Sequence, residues 1–321
     1  MTKISIKIWR LMLYLFVISM VLNSGSVMAA DKTIGVIMIP NIPYYEEMHK
    51  AFTETLLSEA IAEKKASSSN ILEAEIIVQK PLPDSISLMN TARKFDAVGV
   101  TIIVSYGAPS TLAAVGEQST IPVVFAGVFD PRGVGISLKN ATGISSKVSV
   151  STLLKKLKSI SNFSKLGVLY SDTEKDTLLQ AEEVKKLEES MGFKSVMLNI
   201  KRAQDTAKIT GVDALLITTS CPTQYCISNI IDIARKANIP TATLTGTEED
   251  KGVLLTITAN PQEQGREAAK LVIKLLKGAK ASSLPVVEPG KVDMIINLKE
   301  ASSMGLKVPF DLLSSATKII K

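Results

Sequence analysis

The feature that most constrains the fold is a regular alternation of β-branched and amphipathic segments from Thr33 almost to the C-terminus. Residues 33–39 suit a strand that is buried on both faces. Residues 44–64 follow and carry Met48, Phe52 and Leu56 at helical spacing. Alternation of this kind predicts an α/β fold in which right-handed crossovers join parallel strands.

The number of strand segments predicts two lobes. About ten strands in roughly 290 residues after position 30 fit two sheets better than one, because domains rarely grow that large. Each half ends in a helix, an Ile-Pro pair and a strand, at Ile121-Pro122 and at Ile239-Pro240. We therefore predict two similar Rossmann-like lobes joined by a multi-strand hinge. The predicted first lobe is 31–145, with part of 255–321 returning to it, and the predicted second lobe is 146–254.

Residues 1–30 have the order of a cleavable secretory signal peptide. Lys3, Lys7 and Arg10 precede a mostly apolar run of residues 11–22, and small residues end at Ala29-Ala30. The apolar run is too short for a bilayer span, which needs about 20 residues. We expect cleavage after Ala29 or Ala30, and a periplasmic or secreted product.

Charge and cysteine content narrow the function classes. Cleavage removes three basic residues and no acidic one, which lowers the net charge from +6 to +3 and weakens any case for nucleic-acid binding. The sequence has two cysteines, Cys221 and Cys226, and an exported chain holds them either as a disulfide or as two free thiols. A zinc site built from four cysteines is excluded because the sequence has two, and a site built from two cysteines and two histidines is excluded because His49 is the only histidine.

No catalytic pattern emerges from the sequence. A Ser-His-Asp or Cys-His system needs a histidine, and His49 lies within a predicted helix among charged neighbours, as an ordinary helical residue would. No glycine-rich nucleotide motif and no GxSxG motif follows a strand. We therefore predict a binding protein without a cofactor or a metal.

The candidate site lies at the strand ends. Ligands of open parallel sheets bind beyond the carboxyl ends of the strands. The turns there combine small residues, hydroxyl groups, aromatic rings and helix starts, which suit a mostly apolar ligand with a few polar groups. Capping and turn chemistry explains any one of them equally well, so the set carries the prediction. The candidate ligand-binding residues are Tyr44, Tyr45, Ser105, Tyr106, Gly107, Ala108, Pro109, Ser110, Phe129, Asp130, Asp172, Thr223, Gln224 and Gly246.

Five stretches of the sequence resemble one known family. They are Pro43-Tyr44-Tyr45, residues 104–113 (VSYGAPSTLA), residues 121–131 (IPVVFAGVFDP), residues 167–170 (GVLY), and the tail with residues 297–301 (NLKEA) and 305–309 (GLKVP). Together they resemble the ABC transporter substrate-binding proteins with the type I periplasmic-binding fold, in the tryptophan/tyrosine-type subgroup. The resemblance runs from about Lys32 to the C-terminus.

The resemblance implies a two-lobed receptor that closes on a small molecule, such as an amino acid or an aromatic compound. It implies delivery to a membrane permease powered by a cytoplasmic ATPase, and we expect a monomer. In relatives the turn after the third strand and the aromatic residue after the first strand hold the ligand, which corresponds here to residues 105–110 and Tyr45. Where relatives have a Thr-Asp or Asp-Asn pair in the second lobe, this chain has Thr223-Gln224. A ligand-sensing module of a membrane signalling protein and an exported enzyme are the alternative functions.

Overall fold

A computed structural model of the chain describes residues 32–67, 70, 72–116, 120–246 and 252–321. The predicted signal peptide lies outside the described residues. None of the helices in the described ranges is long and apolar enough to cross a membrane.

The first half of the chain forms a five-stranded parallel sheet. Its strands lie in the order β2-β1-β3-β4-β5, and helices connect the first four. Strand β3, with the sequence IIVSY, is buried at every residue, as a central strand covered on both faces must be. The elements in chain order are β1 (Thr33–Ile37), α1 (Pro43–Ser67), β2 (Glu75–Gln79), α2 (Ser85–Val98), β3 (Ile102–Tyr106), α3 (Ala108–Gly116), β4 (Val123–Val128) and β5 (Ala141–Ser145).

The second half forms a seven-stranded sheet with the order β12-β11-β10-β9-β8-β6-β7. Two 3₁₀ turns, Ala203–Lys208 and Ala281–Ser283, lie between its elements. The elements are α4 (Val150–Ile160), β6 (Lys165–Tyr170), α5 (Lys175–Met191), β7 (Lys194–Asn199), β8 (Ala214–Ile217), α6 (Cys221–Tyr225), α7 (Ile227–Lys236), β9 (Thr241–Thr243), β10 (Leu255–Ala259), α8 (Pro261–Leu276), β11 (Val292–Asn297), α9 (Leu298–Ser303), α10 (Phe310–Ser314) and β12 (Lys318–Ile320).

The predicted α/β fold with two mostly parallel sheets is confirmed, with one antiparallel pair. Strand β11 runs antiparallel to β10. The reason is the path between them: α8 leaves the second sheet after β10 and packs along α1 beside the first sheet. The chain then pairs with β5 at Ile144 and Val287 before it returns as β11. The two sheets are thus joined by three chain crossings, and the domain boundaries given above stay a prediction.

The C-terminal segment differs from the sequence-based expectation. The sequence alone predicts one helix over residues 309–320, whereas the structure has the short helix α10 followed by strand β12. The helix ends at Ser314, and Ile319 and Ile320 pair with the free edge of β11. β-branched residues such as isoleucine favour a strand once an unpaired edge is available.

Candidate ligand-binding cleft

A cavity of about 810 Å³ lies between the two halves, at the carboxyl ends of several strands. Its wall is mostly aliphatic, and its charged members are Asp84, Glu174 and Lys201. Ligand pockets typically have a wall of this kind, with a few polar groups that fix orientation. The lining residues are Leu82, Pro83, Asp84, Ser85, Leu88, Met89, Pro109, Leu112, Ala113 and Gly116 from the first half, and Thr173, Glu174, Lys201 and Pro222 from the second.

The turn after β3 brings one predicted residue, Pro109, into this lining. The Ser105 and Thr111 hydroxyls lie 2.9 Å apart, and Thr111 Oγ1 donates to Gly107 O at 2.8 Å, so both hydroxyls brace the turn itself. Ala108 is buried. The hydroxyl of Ser110 is also buried, and it has no hydrogen-bond partner among the described residues.

The backbone conformation at position 107 requires glycine. Its φ is 81°, a left-handed conformation that side chains rarely adopt. A Cβ at this position would lie 2.2 Å from the Tyr45 hydroxyl. The Tyr45 ring therefore packs directly against the backbone of the turn, and it stacks on Tyr106 with ring centroids 6.4 Å apart.

The three predicted tyrosines form a buried cluster next to the cleft. Tyr44 Oη donates to Ala259 O at 2.8 Å, which ties α1 to the end of β10. Tyr106 Oη lies 3.3 Å from His49 Nδ1. Burial raises the pKa of Tyr45 and Tyr106 well above the usual value, so both are neutral phenols at physiological pH. None of the three is in the cavity lining of the described chain.

Phe129 and Asp130 lie at the first chain crossing. Their backbone amides donate to the Asp176 carboxylate at 2.9 and 3.4 Å. The Asp130 carboxylate accepts from the Gly133 amide and forms an ion pair with Lys147 at 2.8 Å. These two predicted residues therefore contact the second half through their backbone.

Two carboxylates that sequence reasoning missed lie after β6, Glu174 at the N-cap of α5 and Asp176 in the first turn of that helix. Glu174 lines the cavity and accepts from the Cys221 amide at 3.2 and 3.1 Å. Asp176 accepts hydrogen bonds from the Phe129 and Asp130 amides. Burial raises the pKa of Glu174 to about 7 and that of Asp176 to about 6. The available signal was the spacing of Asp172, Glu174 and Asp176, which places acids at alternate positions across a helix start.

The predicted Asp172 is the exposed member of this acidic series. It forms an ion pair with Lys201 at 2.9 Å, and the hydrogen bond from Lys201 lowers the pKa of its carboxyl. The remaining predicted residues do not line the cavity of the described chain. Thr223 Oγ1 donates to Ser220 O at 2.7 Å and Gln224 lies 3.5 Å from Thr218 O, both within the same turn, and Gly246 is buried after β9.

The two cysteines are free thiols, so a disulfide between Cys221 and Cys226 is not formed. Cys221 packs into the hydrophobic core of the first half, and Cys226 packs into a separate cluster with Ile230 and Ile217. Cys221 is the first residue of α6 and Cys226 directly follows the helix, and their side chains reach different cores.

Three contacts join the halves around the cavity. Tyr225 Oη donates to Pro40 O at 2.8 Å, the Tyr45 hydroxyl and the Cys221 thiol share a hydrogen bond, and Asp176 holds the Phe129 amide. The first two contacts connect the loop after β1 and helix α1 with helix α6, and the third connects the residue after β4 with helix α5. The structure therefore describes a closed arrangement of the two halves.

Comparison with known proteins agrees with this geometry. The family model for ABC transporter substrate binding proteins matches residues 35–320. A tyrosine-binding protein of Clostridioides difficile (strain R20291) is 22% identical over 282 residues, which cover 83% of this chain and 79% of that protein.

Solved structures share the fold. A Streptococcus pneumonia ABC domain in complex with L-Trp has a TM-score of 0.82 at 21% identity, over 90% of this chain and 99% of that one. A conserved domain protein of Vibrio cholerae has a TM-score of 0.81 at 22% identity, with the same coverage of both chains. A ligand-free, open substrate binding protein with adhesive properties from Clostridium difficile has a TM-score of 0.64 at 23% identity, again with that coverage. The fold is thus the type I periplasmic-binding fold, and the match over residues 35–320 shows that this chain belongs to the ABC transporter substrate binding protein family.

Proposed function

We propose that this chain is the periplasmic receptor of an ABC importer and that it binds an amino acid with an apolar or aromatic side chain. The observation that carries the proposal is the aliphatic cavity between the two halves, with the buried carboxylate of Glu174 in its wall. The tyrosine-binding relative and the L-Trp complex support this ligand class. In this proposal residues 1–30 direct export, and the closed monomer delivers its ligand to a permease that a cytoplasmic ATPase drives.

Closure of two lobes on the ligand is the proposed mechanism. The lobes are 31–145, with part of 255–321, and 146–254. A ligand that contacts both lobes stabilises the closed state by its differential affinity for that state. At nearly equal identity, the TM-score is higher to the L-Trp complex than to the ligand-free, open structure, which supports a closed arrangement for this chain. The predicted residues of the β3 turn and Tyr45 would position the wall that the ligand meets.

We propose no reaction for this site. His49 packs against Phe52 and Tyr106 and is outside the cavity lining of the described chain. Burial lowers its pKa, so it is neutral at physiological pH. The Cys221 thiol is fully buried and burial raises its pKa well above the usual value, which opposes the thiolate that nucleophilic chemistry needs.

A thermal-shift screen of the mature chain against amino acids tests the proposal. We expect apolar and aromatic members to raise the melting temperature, because a ligand at 1,000 times its Kd adds about 4 kcal/mol of stability. Ala113→Trp, which fills the cavity, should abolish the shift. Ala60→Trp, in a different cavity on the outer face of α1, is the matched control and should retain it. No shift with any amino acid or other small metabolite would contradict the proposal.

The Tyr225–Pro40 contact makes a second prediction. Tyr225→Phe removes the hydroxyl that donates across the cleft, and a hydrogen bond of this kind contributes about 0.5–1.5 kcal/mol. We expect a ligand Kd that is about 2- to 13-fold weaker, mainly through faster dissociation, since the contact forms in the closed state. Stopped-flow fluorescence measures both rates. Tyr170→Phe is the matched control, and an equal loss in both variants would show that the Pro40 contact has no special role.

A further inference from the structure

We propose that Glu174 is the group that recognises the ligand, and that it does so by holding a protonated amine at the wall of the cavity. This inference rests on the proposed function and assigns its ligand class: a primary amine or amino acid with an apolar body. It is argued from the geometry, the charge balance and the shape of the cavity wall.

The carboxylate of Glu174 is buried and has an acceptor position without a hydrogen bond among the described residues. The residue is 6% exposed and lines the cavity. Among the described residues its hydrogen-bond partner is Cys221 alone: both carboxylate oxygens share the Cys221 amide, and the Cys221 thiol forms a further hydrogen bond with the carboxylate. An ionised carboxylate has about four acceptor positions, so at least one remains for a ligand. A protonated amine carries three donors, and one of them can fill this position.

No cation of the described chain neutralises Glu174. Lys201 lines the same cavity, but its ammonium is paired with Asp172 at 2.9 Å. A buried ionised carboxylate without a positive partner is costly, and the cost falls when a cation is placed beside it. A ligand ammonium would supply that cation, whereas a neutral ligand would not.

The groups that face Glu174 reinforce this argument. Asp176 from α5 is a second buried carboxyl, Cys221 and Tyr225 come from α6, and Tyr45 comes from α1. Asp84 at the start of α2 shares the cavity wall. Every one of these groups is acidic or neutral. Burial raises the Glu174 pKa to about 7, and an ammonium placed beside it would lower that pKa, so binding should release a proton near neutral pH.

The remaining wall fits an apolar body beside the amine. Leu88, Met89, Leu112 and Pro222 line the cavity without polar side-chain groups.

The test compares amines with their amine-free counterparts by isothermal titration calorimetry. The probes are the apolar and aromatic amino acids, each paired with the carboxylic acid that lacks the amine, such as L-tryptophan with indole-3-propionate. The wild-type chain should bind the amine at least 10-fold more tightly than its counterpart. Glu174→Gln should weaken amine binding about 10- to 100-fold, since a hydrogen bond between charged groups is lost, and should leave the amine-free acid nearly unchanged.

Proton release supplies a measurement that needs no variant. The observed binding enthalpy of the wild-type chain at pH 7 should change with the ionisation enthalpy of the buffer, as a released proton requires. Asp213→Asn, which alters an exposed acid outside the cavity lining of the described chain, is the control and should retain both effects. Equal binding of amines and amine-free acids, or a buffer-independent enthalpy, would overturn the inference and leave the proposed function standing. Failure of every probe and of a wider metabolite library to bind would instead overturn the proposed function.

Discussion

Gly265→Ala is expected to destabilise the chain strongly, although alanine in a helix usually stabilises it. Gly265 lies in α8 where that helix crosses α1, and a Cβ there would lie 2.1 Å from Met48 O and 2.9 Å from Phe52 N. Both atoms belong to the backbone of α1, so neither can rotate away. The two helices would have to separate, and overpacking of this kind costs typically 1–3 kcal/mol or more.

The position of α8 enlarges the expected loss. Next to Gly265, Gln264 donates to Ser145 O at 2.8 Å and accepts from the Gly127 amide at 3.0 Å, which fixes α8 to the chain crossing. A shift of α8 would strain both bonds. We therefore expect a loss of about 3 kcal/mol in the free energy of unfolding and a melting temperature about 5 °C lower.

Urea unfolding of the ligand-free chain measures this loss. The matched control is Gly116→Ala, the last residue of α3, where an added Cβ meets nothing within 4 Å. That variant should be neutral or gain up to about 1 kcal/mol, because helical alanine restricts the unfolded chain. If Gly265→Ala lies within 0.5 kcal/mol of wild type, the close approach of α1 and α8 is not present in solution.

The sequence predicted the sheets because each strand carries its own signal. Residues 102–106 and 214–217 are apolar runs bounded by turns, and a strand of that kind is buried wherever it pairs. The direction of β11 has no such local signal. It depends on α8, which takes the chain to the first sheet and brings it back from the opposite end. Ile319 and Ile320 likewise satisfy a helical or a strand pattern until the free edge of β11 is known.

The site was less predictable, because its chemistry depends on partners far apart in the chain. Glu174 follows its strand by four residues and reads as part of a helix start, whereas its amide partner Cys221 is 47 positions away. Asp172 is nearer the strand end, so the sequence favours it as the binding carboxylate. In the structure it is exposed and forms an ion pair with Lys201. The spacing of the cysteines also does not decide between a disulfide and two free thiols. That outcome depends on the two different cores into which Cys221 and Cys226 pack.

Asp176→Asn is expected to change how the stability of the protein depends on pH. Asp176 is 4% exposed, and burial raises the pKa of its carboxyl from 3.8 to about 6. Its folded pKa is above its unfolded pKa, so between these values the folded state binds more protons. The stability that this group contributes is present below pH 4 and is lost as the pH rises through 6, by about 3 kcal/mol in total.

Glu174 changes the pH dependence of stability in the same direction as Asp176, since burial raises its pKa from 4.5 to about 7. The wild-type chain should therefore lose stability between pH 5 and pH 8, where many proteins are most stable. In Asp176→Asn one of the two titrations is absent, so the curve should be flatter by about 3 kcal/mol. The asparagine oxygen still accepts the Phe129 amide, which keeps the contact at the chain crossing.

Asp213→Asn is the control, because the pKa of Asp213 is shifted in the opposite direction from that of Asp176. Hydrogen bonds from the Ser164 hydroxyl and from the Ser164 and Lys165 amides lower the pKa of Asp213, so its contribution is present above pH 4 and is lost as the pH falls. Urea titrations of the three proteins from pH 4 to pH 8 measure both effects. Relative to wild type, Asp176→Asn should gain stability steadily as the pH rises through 6, while the stability difference for Asp213→Asn should stay constant over that interval. Parallel curves for Asp176→Asn and wild type would show that Asp176 is solvated, and the contact between its carboxylate and the chain crossing would then be open in solution.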